Sequence, residues 1–288
     1  MIFCARLVVI LFLFSVPLVS FEIPPFPPAA AQAAPQAGSA AVPTGEWVAR
    51  QIEDRDTGRD TRTAMTMKLF DRQERVRERS LMLLALNATA PGQDGIADRV
   101  LIRFTYPNDI NGTSFLVWER PDGDDERFLF LPALGRVRRI AGSERQESFV
   151  GTDFTYEDMG GRAIEDYTYA LPDANATWTA PDKSTHAVYI LESRTKDAHA
   201  KYPRIVSYVR KDALVVVYAE MFNRRNEREK TYRVNRLDRV QGFWTALDAV
   251  MTNELARTRT ELTVTKAEYN VGLKDADVSR RELERGAR

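Results

Sequence analysis

Ser114 to Glu119 (SFLVWE) and Arg127 to Leu131 (RFLFL) are two short apolar runs joined through Pro121-Asp122-Gly123-Asp124. The runs are rich in aromatic and branched residues that suit a pleated surface, and Pro, Asp and Gly supply the dihedral angles of a tight turn. The stretch therefore reads as a β-hairpin. Pro132-Ala133-Leu134-Gly135 then makes a second turn into Arg136-Val137-Arg138-Arg139-Ile140. The same period of two recurs on either side. Met65, Met67 and Leu69 share one face of Thr63 to Phe70, and Val100, Ile102, Phe104 and Tyr106 share a face of a run that Pro107 ends. Further strands are expected at 166–171, 187–193, 204–210, 214–222, 230–237, 243–252 and 260–269. Helical spacing is confined to Gly45–Asp56, with Trp47, Val48 and Ile52 on one side, and to Asp275–Glu284.

About ten or eleven strands and two or three short helices point to a sequential antiparallel, mainly β fold. Several strands, among them Phe115–Trp118, Phe128–Leu131 and Leu214–Tyr218, are apolar on both faces. Ten strands at about 4.8 Å make a sheet nearly 50 Å wide, whereas a ten-residue helix is only about 15 Å long. Two or three such helices cannot cover that face. The expected solution is a curved sheet forming an incomplete β-barrel, with short helices plugging its open side. Two packed sheets would also bury both faces.

The chain has 288 residues, with 41 basic and 41 acidic side chains and no net charge. A nucleic-acid binder would show a basic excess, so that class is set aside. One positive charge in Met1–Arg6, an apolar run from Leu7 to Ser20 and Ala31-Gln32-Ala33 together read as an export signal cleaved after Ala33. Residues 34–44 form a flexible Pro/Ala lead-in, and 45–288 are expected to be one β domain. Pro24, Pro25, Pro27 and Pro28 make a long spacer that an uncleaved anchor would also explain. The single cysteine, Cys4, lies in the signal, so the exported part has no disulfide and depends on its core.

Chemistry-bearing motifs are sparse. His186 and His199 belong to no metal-ligand spacing, so no metal or cofactor is expected. No Gly-x-Ser-x-Gly elbow supports a serine nucleophile. Glu157-Asp158 is a carboxylate pair, but neighbours in sequence usually point apart, and a structural role is the plainer reading. Met65, Met67, Phe104, Trp118, Phe130, Tyr189, Tyr218 and Met221 are adaptable apolar side chains suited to lining a lipid cavity, or to filling a core. Arg136, Arg138 and Arg139 form a basic stripe. It fits either a docking site for an acidic partner or lipid headgroup, or a charged strand edge that discourages pairing.

The segments beginning at Val100 (VLIRFTYP), Asn111 (NGTSFLVWE), Phe128 (FLFLPALGRVRRI) and Phe149 (FVGTDFTYEDM) resemble the LolA-like outer-membrane lipoprotein-sorting proteins, in their broader family. The resemblance is strongest from Val100 to Met159. It implies an incompletely closed antiparallel barrel, an acyl-chain cavity and residence in the periplasm. It further implies lipid or acylated lipoprotein as cargo, an RND-type inner-membrane transporter as partner, and no catalytic residues. It places Trp118, Phe130, Leu131, Phe154 and Tyr156 at the cavity wall or mouth. Arg136, Arg138, Arg139, Asp153, Glu157 and Asp158 become a polar rim or partner surface. The expected function is a periplasmic carrier of lipid or lipoprotein, the alternative a non-carrier adaptor docked on an envelope transporter.

Overall fold

The computed structural model describes residues 43–285 except 89–91, 93 and 122. The signal, its cleavage point and most of the lead-in lie outside the described residues. Thirteen strands make one antiparallel sheet. They are β1 (Asp60–Phe70), β2 (Val76–Leu86), β3 (Arg99–Tyr106), β4 (Ser114–Trp118), β5 (Glu126–Leu131) and β6 (Arg136–Arg139), then β7 (Tyr167–Thr179) and β8 (Thr185–Thr195). The remainder are β9 (Arg204–Arg210), β10 (Val215–Phe222), β11 (Arg228–Val240), β12 (Phe243–Asn253) and β13 (Thr258–Tyr269). The spatial order is β6-β5-β4-β3-β2-β1-β13-β12-β11-β10-β9-β8-β7. First and last strands therefore meet in the middle, while β6 and β7, consecutive in sequence, are the two free edges. The residues between them must cross from one edge to the other.

They cross on the inside. Ile140, Phe149, Phe154 and Tyr156 from this crossover pack with side chains from β1 to β5 and from β9, β10 and β12 in a single buried cluster. Strands that far apart in the sheet can share a cluster only if the sheet curls around it, and the sheet does so without closing. The crossover carries helix α2 (Tyr156–Gly160). Helix α1 (Gly45–Glu53) plugs the other side, burying Val48 and Ala49 against Leu191 and Val209.

The quoted hairpin pairs Ser114 with Phe130 and Trp118 with Glu126. Phe115, Val117 and Leu129 point to the inner cluster. Leu116, Trp118, Phe128 and Phe130 point outward, where Val278 and Leu283 of the C-terminal segment cover them. Trp118 Nε1 donates to the Val278 carbonyl at 3.1 Å, and Arg103 pairs with Glu282 at 3.1 Å. The C-terminal helix, α3, runs over Arg280–Arg285, preceded by a 3-10 turn at Asp275–Val278.

Thirteen strands replace the ten or eleven expected. β2 was not foreseen, because its start (VRERS) is charged, exposed through Glu78, and its end (LMLLAL) is continuous rather than alternating. β7 runs past Pro172, where Leu171 was the expected end. It is an edge strand with two register shifts, so a missing N–H breaks no ladder there.

Gly45 opens α1 directly against β7. A Cβ there would stand 2.8–2.9 Å from the Ala170 backbone. Gly45→Ala is expected to push α1 off the sheet and cost about 1–3 kcal/mol in urea denaturation. An unchanged midpoint would show that α1 is not seated on β7.

Candidate functional site

The crossover is clamped at both ends of its apolar insert. Phe149 is fully buried, its ring 5.7 Å from Phe104, 5.5 Å from Phe115 and 5.7 Å from Tyr156. Val150 holds a left-handed backbone (φ 48°), unusual for a branched residue, and Arg79 donates to its carbonyl. Three residues on, the Asp153 carboxylate accepts from Thr258 Oγ1 at 2.5 Å and Thr260 Oγ1 at 2.7 Å. Its backbone N–H donates to Thr260 Oγ1 at 3.0 Å, and the Lys230 ammonium donates to its carbonyl. Lys230 is 4% exposed, and burial pulls its pKa below the usual lysine value.

Helix α2 is fixed in the same way. Thr155 Oγ1 accepts from the Asp158 N–H at 3.1 Å, while Asp158 Oδ2 accepts from the Thr155 N–H at 2.8 Å, a reciprocal cap. Buried Glu157 lies between Arg145 (3.4 Å) and Arg162 (3.6 Å). Arg162 also pairs with Asp158 at 2.5 Å. Asp153, Glu157 and Asp158 thus hold the plug in place, each with partners already in hand.

Beside α2 the sheet keeps an apolar cleft of about 440 Å³. Ala219, Met221, Ala249, Met251, Tyr232 and Leu262 come from β10 to β13, Ile205 from β9, and Phe154 and Met159 from the crossover. Glu157, Asp158 and Arg162 stand at its polar side. Burial pushes the Tyr232 phenol up to about 12, so the group stays neutral at ordinary pH. Two alanines help to leave this room: Ala219 lies between Ser207 on β9 and Tyr232 on β11, and Ala249 lies opposite Leu262 on β13. A more polar recess of about 370 Å³ adjoins it, sharing Glu157, Gly161 and Arg162 and adding Arg127, Arg139 and Arg145. Arg127 is 7% exposed and pairs with Asp125 at 2.9 Å, leaving its Nε without a partner.

Of the expected cavity residues, Phe154 and Met221 line this cleft. Met67, Phe104 and Tyr156 are buried in the same inner cluster, with Met65 and Leu131 packed at its fringe. Trp118 and Phe130 lie on the opposite face under the C-terminal segment. Tyr189 packs beneath α1, and Tyr218 meets Tyr208 edge-on at 5.3 Å. Arg136, Arg138 and Arg139 are exposed on edge strand β6, Arg138 pairing with Glu144 at 2.6 Å. Sequence reading missed Ala219, Ala249, Tyr232 and Leu262. The available signal was small residues recurring on alternating strands, which looks the same in a filled core.

A family model described as that of an uncharacterized protein matches residues 97–285. An outer membrane lipoprotein-sorting protein domain from Vibrio parahaemolyticus superposes with a TM-score of 0.73 at 28% identity, over 83% of this chain and 98% of its own. This chain belongs to the broader LolA-like outer-membrane lipoprotein-sorting family. A DUF1329 family protein from Desulfovibrio piger is similar to the same degree, with a TM-score of 0.73 at 29% identity over 83% and 97% of the two chains. A LolA superfamily protein from Nitrosomonas europaea, at 15% identity, shares the fold with a TM-score of 0.61 over 83% and 99%. A search of the curated proteins finds no match. The LolA-like fold accounts for the unclosed sheet and for the helices inside it.

Asp153→Ala should loosen the plug by about 1–3 kcal/mol, since buried Thr260 loses its acceptor. Amide exchange at residues 149–158 should rise more than in β2 or β3. Uniform exchange across the chain would contradict the clamp.

Proposed function

We propose that the protein is a periplasmic carrier that shelters an acyl chain of a lipid or lipoprotein in the cleft between α2 and strands β9 to β13. The observation that carries this reading is an apolar cleft beside α2, lined by Met221, Ala249, Met251 and Leu262 on the inner face of the sheet. Water's share of liquid volume is about 30 Å³ and a methylene is of similar size, so about 440 Å³ accommodates roughly a dozen methylenes. Such a chain in an aqueous compartment gains about 0.8 kcal/mol for each methylene it hides. The lipoprotein-sorting description of the Vibrio relative supports the same cargo class and compartment. An RND-type inner-membrane transporter as source or acceptor rests on the family resemblance alone. Loading would require little movement of the sheet, because α2 is a one-turn helix on a long crossover.

Ala249→Trp places an indole in the cleft without touching the clamp. Native mass spectrometry of protein purified from its own envelope should show bound lipid for the parent chain and none for this variant, with circular dichroism unchanged. Lipid retained equally by both would remove the cleft as the site, and lipid absent from both would remove the carrier reading.

A further inference from the structure

The four most exposed large apolar side chains among the described residues are Leu134 and Leu255 (57% each), Tyr106 (54%) and Val76 (47%). All four lie at one end of the sheet. The pairings of Phe70 with Val76 and with Arg259, and of Arg103 with Ser114 beside Ser114 with Phe130, put the β1–β2, β3–β4, β5–β6 and β12–β13 connections at that same end. In spatial order, these four connections are successive hairpin tips along the edge, and each carries one exposed apolar residue. Neighbouring tips are two strand widths apart, roughly 10 Å.

Arginines stand on three of these four tips. Arg72, Arg77, Arg136 and Arg257 are exposed at these tips and form no ion pair with a described residue. The acids there are largely spent: Asp71 on Arg75, Glu74 on Arg259 and Glu254 on Arg228, with Asp109 left over. The next tip along, at 223–227, adds Arg224, while Arg225 there pairs with Glu227 at 3.8 Å. The other end of the sheet has the reverse character, with Asp94, Glu119, Asp124 and Asp125 in the β2–β3 and β4–β5 connections. The molecule therefore has a basic end studded with apolar tips and an acidic end with few.

We propose that the basic end docks on an anionic phospholipid surface, the four apolar side chains entering the interface and the arginines meeting headgroup phosphates. A protein partner would call for a contiguous apolar centre that excludes water. Isolated apolar side chains about 10 Å apart, three of the four with an arginine on the same tip, instead suit a fluid interface into which each inserts on its own. Unpaired arginines near such a surface each add to the attraction. Arg136 then has a part distinct from Arg138, which is held by Glu144. This docking does not depend on what fills the cleft.

The test uses the full chain with Cys4→Ser and one environment-sensitive fluorophore, attached in turn through Leu134→Cys, Leu255→Cys or Asp124→Cys. On vesicles of phosphatidylethanolamine and phosphatidylglycerol, labels at 134 and 255 should shift to an apolar spectrum while the label at 124 stays in water. Arg136→Glu with Arg257→Glu should weaken the shift at Leu255→Cys about tenfold, and pure phosphatidylcholine vesicles should give little. No shift at 134 and 255, an equal shift at 124, or indifference to the charge reversals would overturn the proposal. So would a shift that requires added envelope protein. Ala249→Trp should leave docking intact, which separates this end from the cleft.

Discussion

Consecutive strands β6 and β7 lie at opposite edges of a thirteen-stranded sheet, and the rest of the molecule follows from that constraint. The 27 residues linking them, 140–166, have to span the opening of the curl, and a backbone crossing an apolar interior needs partners for its polar groups. The chain meets both needs together. Phe149, Phe154 and Tyr156 fill the interior, while Asp153, Thr155 and Asp158 satisfy the backbone that carries them. A connection fixed at a few points, rather than a continuous helix, leaves part of the inner face bare. The cleft is that remainder.

The two faces of the sheet are treated differently. The outer face of β2 to β5 is closed by the chain's own C-terminal segment, with Leu283 and Val278 fully buried. The inner face is closed by α1 at one side and by the crossover at the centre, and is open next to α2. A void lined by apolar side chains forfeits the packing contacts that a ligand would supply, which is the physical reason to assign the cleft one.

Period-two alternation made the strands legible, and the excess of apolar strand faces over helical cover made the curl legible. The β4–β5 hairpin announced itself through Pro121 and Gly123. β2 escaped because it begins with exposed Val76, Arg77 and Glu78 while its second half is apolar on both faces. The site was half legible. Phe154 and Met221 could be named, but Trp118 and Phe130 have the same composition and differ only in which side of a strand they occupy. That assignment depends on the crossover running inside and the C-terminal helix outside, a property of topology that no local window carries. The acids Asp153, Glu157 and Asp158 stood out as a motif, and their partners Thr260, Lys230, Arg145 and Arg162 show them holding the plug.

The proposed function stands on an acyl chain occupying the cleft between α2 and β9 to β13. Photo-crosslinking with a fatty acid bearing a diazirine near its methyl end, followed by peptide mapping, tests it most directly. A chain held in the cleft should give adducts on Ile205, Met221, Met251 and Leu262. Adducts concentrated on the outer face around Trp118 and Phe130, or scattered without preference, would contradict it.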